Sequence, residues 1–414
     1  ALVDGTVAAS GRVDVLFNNA GIEGRTGDDE RGWWRIVQIN LTGVFHGLRH
    51  GVRAMRRTGG GVIINTASHA GRRGCRAGIY GATKAAVMTL TRHAALHAAP
   101  YGIRVNSVLP GNIYTPIHDM RRHRALNRYL DGDPTALATD PIEGLPPPEG
   151  REATLEHFRR IHPLGRLAAV EDIARAALYL ASDDAAQVTG AELLVNGGIL
   201  AAQLRDRLHV ARESVASAPV AGPPDGHILI ATANAPLARA FDDRFARAGP
   251  PVLRLDDPTP GAVRALRERL LGVESLAGIV FALRPDPGGD IATQGPAAWG
   301  EGLEANLRAP WDLVDLGLDL LAPGGAITLV ADSAGLDGAG ASPAYCAAAS
   351  ALIYLTDDFA DRARVRRVRV NCLIPELMSD LHPSGALGGP AGADDVAELA
   401  FAVSRGVPGL TGIQ

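Results

Sequence analysis

Ser68, Tyr80 and Lys84 are the residues of this 414-residue chain whose types and spacing can do chemistry together. Tyr80 and Lys84 stand at i and i+4, on one face of any helix that carries them. A tyrosine hydroxyl near its usual pKa of about 10 is a poor base at neutral pH. A lysine ammonium held close favours the phenolate and lowers that value. A serine hydroxyl can hold a substrate oxygen by a hydrogen bond while the phenol exchanges its proton. That is the acid–base half of an alcohol–ketone interconversion, and a cofactor must supply the hydride half. Alone, Y-x-x-x-K is a weak signal, because two such residues on an exposed helix face are more often simply solvated.

The elements around these residues strengthen it. Residues 62–64 form a short apolar run, as expected of a strand buried on both faces of a parallel sheet. Ser68 follows at the strand's C-terminal end, where open α/β sheets bind ligands. Residues 80–99 read as an Ala-rich helix stopped near Pro100. Residues 13–17 are a second short strand, running into Asn18-Asn19-Ala20-Gly21. Residues 31–57 place Val37, Leu41, Val44, Leu48, Val52 and Met55 at helical spacing, with Asn40 inside the stripe. Its bland reading is a satisfied core amide. A strand over 103–108 ends in Leu109-Pro110-Gly111, a helix is expected over 165–181, and Glu192–Val195 is a last strand. The long Pro- and charge-rich stretch 112–163 reads as a lobe over the substrate.

Composition narrows the classes. Net charge is −4, and no basic run carries interleaved aromatics, so nucleic acid is not an expected partner. The Arg121-Arg122-His123-Arg124 cluster reads as a solvated face. Cys75, Cys346 and Cys372 are odd in number and widely spaced, without zinc or disulfide spacing. The histidines form no H-E-x-x-H, so no metal is expected. With neither a signal peptide nor a membrane-length apolar run, the expected location is cytoplasmic.

The motifs NNAG at 18–21, INLTGVF at 39–45, S-x-x-G at 68–71, YGATK at 80–84, RVNSVLPG at 104–111, PLGRLAAVEDIA at 163–174 and TGAELLVNGG at 189–198 occur in one order. Over residues 1–200 the chain resembles the short-chain dehydrogenase/reductase family. The Ser68-to-Tyr80 gap is about one residue short for it. The resemblance implies a Rossmann-like doubly wound parallel sheet and a cofactor, NAD or NADP. It implies Tyr80 as general acid/base and Lys84 as its activator and holder of the nicotinamide ribose. Ser68 would orient the substrate oxygen, and Asn40 would anchor a water linking Lys84 to solvent. Asn19, Ala20 and Gly21 would border the cofactor, and Pro110, Gly111, Ile113 and Thr115 would meet the nicotinamide carboxamide. The family's opening strand and glycine-rich pyrophosphate turn do not precede residue 13. The first domain is therefore expected to be N-terminally truncated, leaving strand 13–17 as an edge.

After a helix and Pro/Gly linker at 201–225, the α/β pattern starts again, with strands expected at His227–Ala231, Val252–Leu255, 278–282, 326–330 and 368–373. Tyr80 aligns with Tyr345, Ser68 with Ser333 and RVNSVLP with RVNCLIP, each 265 residues apart. Trp33 aligns with Trp299 and Asn40 with Asn306. The expected fold class is thus α/β, with two Rossmann-like domains in tandem, at 1–200 and 226–414. The copy at 226–414 reads as degenerate: Ala349 stands in the place of Lys84, and Leu283-Arg284-Pro285-Asp286 replaces NNAG. One strand–helix unit is also missing before Gly278. Family dimers form through helices matching 31–57 and 79–99, so the later copy is expected to dock there as an intramolecular pseudo-dimer.

The leading expectation is an NAD(P)-dependent oxidoreductase acting on a small secondary alcohol or ketone. The alternatives are a non-catalytic Rossmann-like scaffold or ligand-binding protein, and an isomerase or dehydratase of the same Y-x-x-x-K chemistry.

Overall fold

The computed structural model describes residues 2–23, 30–72, 77–113, 162–200, 225–248, 250–270, 276–286, 288–375 and 393–405. Most of the stretch at 112–163, with Thr115 and the Arg121–Arg124 cluster, lies outside them, as does Cys75.

Helix α1 (Leu2–Ser10) leads to strand β1 (Val15–Asn18). A long helical run follows: α2 (Glu30–Val37), a π turn at Gln38–Thr42, and α3 (Gly43–Thr58). Then come β2 (Gly61–Thr66), α4 (Gly78–Ala98) and β3 (Ile103–Pro110). Helix α5 (Val170–Ala181) and β4 (Glu192–Val195) complete the first sheet, whose four strands are parallel in the order β1-β2-β3-β4. The second half holds β5 (His227–Ala231), α6 (Ala235–Ala248), β6 (Val252–Leu255), α7 (Pro260–Leu270) and β7 (Leu276–Ala282). Helix α8 (Pro296–Leu303), a π turn at Glu304–Arg308 and α9 (Ala309–Leu320) follow. The remainder is β8 (Leu321–Val330), α10 (Ala334–Asp337), α11 (Pro343–Arg364), β9 (Arg369–Leu373) and α12 (Ala393–Arg405). Its sheet is parallel in the order β6-β5-β7-β8-β9.

The chain is therefore two parallel-sheet α/β domains of Rossmann-like form. Several boundaries differ from expectation. Strand β1 starts two residues late, at Val15, while β7 and β8 start early, at Leu276 and Leu321. The helix expected from Gly165 begins at Val170, because Gly165 takes φ +67° in a turn. Strand β1 is an edge among the described strands, with Val15 and Phe17 exposed.

One hydrophobic core runs through both halves, taking in Phe45 and Met88 from the first and Leu313 and Leu352 from the second. Helix α4 packs along α11, where Thr89 donates to the Gly335 carbonyl and meets the Ser350 hydroxyl, each at 3.0 Å. Small residues on α4 allow this approach; a Cβ on Gly81 would overlap the Tyr354 hydroxyl. Beside this pair, Trp299 stacks on Phe45 with ring centroids 4.1 Å apart and donates its indole N–H to Thr42 at 3.0 Å. Trp33 stacks on Trp311 at 4.8 Å.

Several local arrangements occur in both halves. The π turns at 38–42 and 304–308 each carry an asparagine whose amide grips the backbone of a single residue. Ile22 donates to Asn40 and accepts from it, both at 2.8 Å, while Arg284 does the same with Asn306 at 2.7 and 3.5 Å. A Cβ on Gly71 would lie 2.6 Å from the Ala85 nitrogen, and one on Gly335 would lie 2.7 Å from the Ser350 nitrogen. Each glycine lets its turn rest directly on the following long helix.

His93 is buried in the seam between the halves. Its Nδ1–H donates to the Gly338 carbonyl at 2.9 Å, which leaves Nε2 as the buried site for a second proton. Burial, and secondarily His97 with its ring centre 4.4 Å away, pull its pKa down to about 4. The unfolded chain would hold that proton up to about pH 6.5. Between about 4 and 6.5 the unfolded state therefore binds more protons, so stability rises with pH across the window and falls on acidification. Urea denaturation of the parent and His93→Gln should diverge in pH dependence, the parent losing about 3 kcal/mol more between pH 7 and pH 4. Identical pH profiles would remove His93 from the account.

Candidate active site

A cleft of about 660 Å³ opens at the C-terminal ends of β1, β2 and β3. Ser68, Tyr80 and Lys84 all line it. Ser68 lies just past β2 in extended backbone and caps the short turn His69–Gly71, its hydroxyl accepting from the Ala70 N–H at 3.1 Å. Tyr80 and Lys84 sit in the first turns of α4. The Lys84 Nζ donates to the Thr66 carbonyl at 2.8 Å and lies 5.7 Å from the centre of the Tyr80 ring. With 3% of its surface exposed, Lys84 has its pKa lowered by burial to about 8.

Tyr80 departs from expectation. Burial pushes its phenol up to about 12; a hydrogen bond with the Ser68 hydroxyl opposes this and nearby Glu23 adds to it. The expected lowering by Lys84 is not found here. Desolvation of the phenol outweighs an ammonium that is itself desolvated and committed to Thr66. Asn40 lies in the π turn beneath the cleft. It is fully buried, and its amide is taken up by the Ile22 backbone, with Thr83 Oγ1 a further 3.4 Å neighbour. Asn40 thereby fixes the backbone that follows Asn19-Ala20-Gly21.

Of those three, Asn19 and Gly21 line the cleft, Asn19 accepting from the Thr66 hydroxyl at 2.7 Å. Ala20 is exposed beside them. Pro110, Gly111 and Ile113 form the opposite wall, and the Pro110 carbonyl accepts from the His69 ring at 3.0 Å. Thr115 lies outside the described residues. Sequence reasoning missed Glu23, His69, Asn112 and the start of α5, where Val170, Ile173 and Ala174 close one side. Only the adjacency of Glu23 and His69 to NNAG and Ser68 offered a signal.

The donor set fits the nicotinamide–ribose end of a dinucleotide. A cationic amine, a phenol and an amide are groups that would bond ribose hydroxyls, and Pro110 and Ile113 offer an apolar wall.

The second half gathers different groups. Tyr345 lies 3.4 Å from a carboxylate oxygen of Asp332, which accepts its hydroxyl, and Ala349 stands where Lys84 would be. Burial and then the carboxylates of Asp332 and Asp286 raise its pKa well above the usual value. Two acids beside a buried phenol disfavour its phenolate.

The family described as short chain dehydrogenase matches residues 1–125 and 261–380, and a second description, enoyl-(acyl carrier protein) reductase, matches 133–200. The chain belongs to the short-chain dehydrogenase/reductase family. As a member it is an NAD(P)-dependent oxidoreductase acting on a small molecule. It is 36% identical to the levodione reductase of Leifsonia aquatica over 208 residues, covering 49% of this chain and 70% of that one. It is 37% identical to the cyclohexanol dehydrogenase of Acinetobacter sp. strain SE19 over 202 residues, covering 48% and 68%. Among solved structures, the N-domain of a bacterial malonyl-CoA reductase with NADP covers 97% of this chain and 82% of that one, at TM-score 0.63 and 19% identity. That likeness concerns fold alone. No helix among the described residues is long and apolar enough to cross a membrane.

Proposed function

We propose that this short-chain dehydrogenase/reductase interconverts a secondary alcohol and a ketone, with Tyr80 as its general acid/base. The convergence of Ser68, Tyr80 and Lys84 on one cleft at the strand ends carries the reading. NAD(P), when bound, supplies or accepts the hydride. Lys84 and Tyr80 would hold its ribose hydroxyls, with Asn19, Ala20 and Gly21 along one side and Pro110, Gly111, Ile113 and Thr115 toward the nicotinamide. Ser68 holds the substrate oxygen and Tyr80 moves the proton to or from it. Burial keeps the Tyr80 phenol protonated, the form that donates when a ketone is reduced. Two relatives are named for cyclohexane-ring alcohols, cyclohexanol and cis-4-hydroxycyclohexanecarboxylate. An alicyclic secondary alcohol is therefore the first substrate class to try.

We infer the domain limits as 1–200 for the catalytic unit and 226–414 for a second copy, joined through 201–225. The paired asparagine grips and glycine contacts support a duplication, and the α4–α11 seam supports an intramolecular pseudo-dimer. Tyr345 beside Asp332 supports a non-catalytic second copy.

The test is a nicotinamide fluorescence titration of the whole chain with NADH and NADPH. The parent should bind at least one. Lys84→Met should weaken that binding by about ten- to a hundredfold, since hydrogen bonds from a charged group contribute about 1.5–3 kcal/mol. A parent protein that binds neither nucleotide would overturn the reading.

A further inference from the structure

We propose that Tyr354, from the second half of the chain, is a positioning residue for the Ser68–Tyr80 pair. The inference rests on the acid/base reading of Tyr80 given above.

Tyr354 projects from α11 across the seam and is 3% exposed. Its hydroxyl donates to the Ala70 carbonyl at 2.7 Å and accepts from the Ala77 N–H at 3.1 Å. Those two peptides bracket the connection between the reacting groups. Ala70 is in the turn that Ser68 caps, its own N–H bonded to the Ser68 hydroxyl. Ala77 immediately precedes α4, three residues before Tyr80. Both line the cleft. One phenol thus fastens the two ends of the segment that separates Ser68 from Tyr80.

The start of α4 needs such a partner. The first N–H groups of a helix have no acceptor within it, and a Ser, Thr, Asp or Asn side chain ordinarily caps them. At α4 the cap position is Ala77, whose side chain cannot do so. Tyr354 takes the Ala77 N–H from outside the helix. Gly81 makes the space, because any Cβ there would overlap the Tyr354 hydroxyl. The corresponding contact in the other direction is shorter in reach. Thr89 donates to the Gly335 carbonyl at 3.0 Å, beside a tyrosine with no lysine. The longer, two-ended tether is found on the side that keeps Tyr80 and Lys84.

Tyr354→Phe keeps the ring and removes only the tether. By hydrogen exchange on the whole chain, amides of residues 77–81 should exchange about tenfold faster in the variant, while those of 88–98 keep their rates. With cyclohexanone and NADH or NADPH, kcat should fall about tenfold with KM for the nucleotide unchanged. Gly81→Ala, which displaces the same hydroxyl, should lower kcat similarly. The double variant should lose no more than the worse single variant, as expected of two changes acting on one contact. Unchanged exchange at 77–81, or faster exchange with kcat unchanged, would overturn the proposal. A parent protein without turnover would count against the acid/base reading instead, and the exchange result alone would then decide whether Tyr354 holds this segment.

Discussion

Tyr80→Phe should lower kcat by about 10²- to 10⁴-fold, the range that a positioned proton donor contributes. The variant removes the hydroxyl that bonds Ser68 and leaves the ring, so folding should change little. The lost bond to Ser68 is worth about 1 kcal/mol, and thermal denaturation should show a small shift at most. The pH dependence follows from the same group. Ketone reduction needs the protonated phenol, and its pKa is raised to about 12 by burial. Reduction should therefore persist through neutral pH and fall only in alkali, whereas alcohol oxidation, which needs the phenolate, should climb as pH rises. Steady-state turnover across roughly pH 6–10 checks this, with cyclohexanone reduction expected flat and cyclohexanol oxidation rising. A loss below about fivefold in kcat for Tyr80→Phe would leave the proton without its assigned carrier.

The other large effect is on stability. Trp299→Ala should cost about 3–5 kcal/mol, as removal of a fully buried large aromatic does. Trp299 is 1% exposed, stacks on Phe45 and donates to Thr42. The change opens a cavity across the seam, ends a ring contact worth about 0.5–1.5 kcal/mol, and strips a buried threonine of its donor. Against a total of about 5–15 kcal/mol for an ordinary domain, that is a large share. Thr42 closes the π turn that carries Asn40, and Asn40 holds Ile22 just beyond the cleft residue Gly21. Loosening should therefore reach the site, and nucleotide affinity should fall together with the urea midpoint. Trp299→Phe, which keeps a ring but not the N–H, should lose about 1–2 kcal/mol. A midpoint unmoved by Trp299→Ala would mean that the two halves do not depend on each other for stability.

Much of the fold was legible because it rests on local patterns. Short apolar runs ending in Ser68 or in Pro110-Gly111 announce strand ends, and Tyr80 with Lys84 needs only a helix between them. The stripe from Val37 to Met55 announced a helix but hid its π turn. One inserted residue leaves the apolar face nearly in phase, so periodicity does not register it. The backbone partner of Asn40 was hidden for a related reason. Its partner, Ile22, is 18 residues away and binds through backbone, which carries no side-chain signature. The acidity of Tyr80 was misjudged because spacing shows that an amine is near but not how far both groups have left water. Tyr354 was out of reach altogether. It reads as one aromatic in an Ala-rich helix, and its two bonds span 277 and 284 positions of sequence.

The seam between α4 and α11 has an evolutionary consequence. When two identical subunits meet about a twofold axis, every substitution appears on both faces at once, and each must suit its own mirror partner. Here the two faces are encoded separately within one polypeptide. Thr89 reaches Gly335 on one side while Tyr354 reaches Ala70 on the other. The two faces are therefore free to diverge. Their meeting is also unimolecular, so dilution cannot part them.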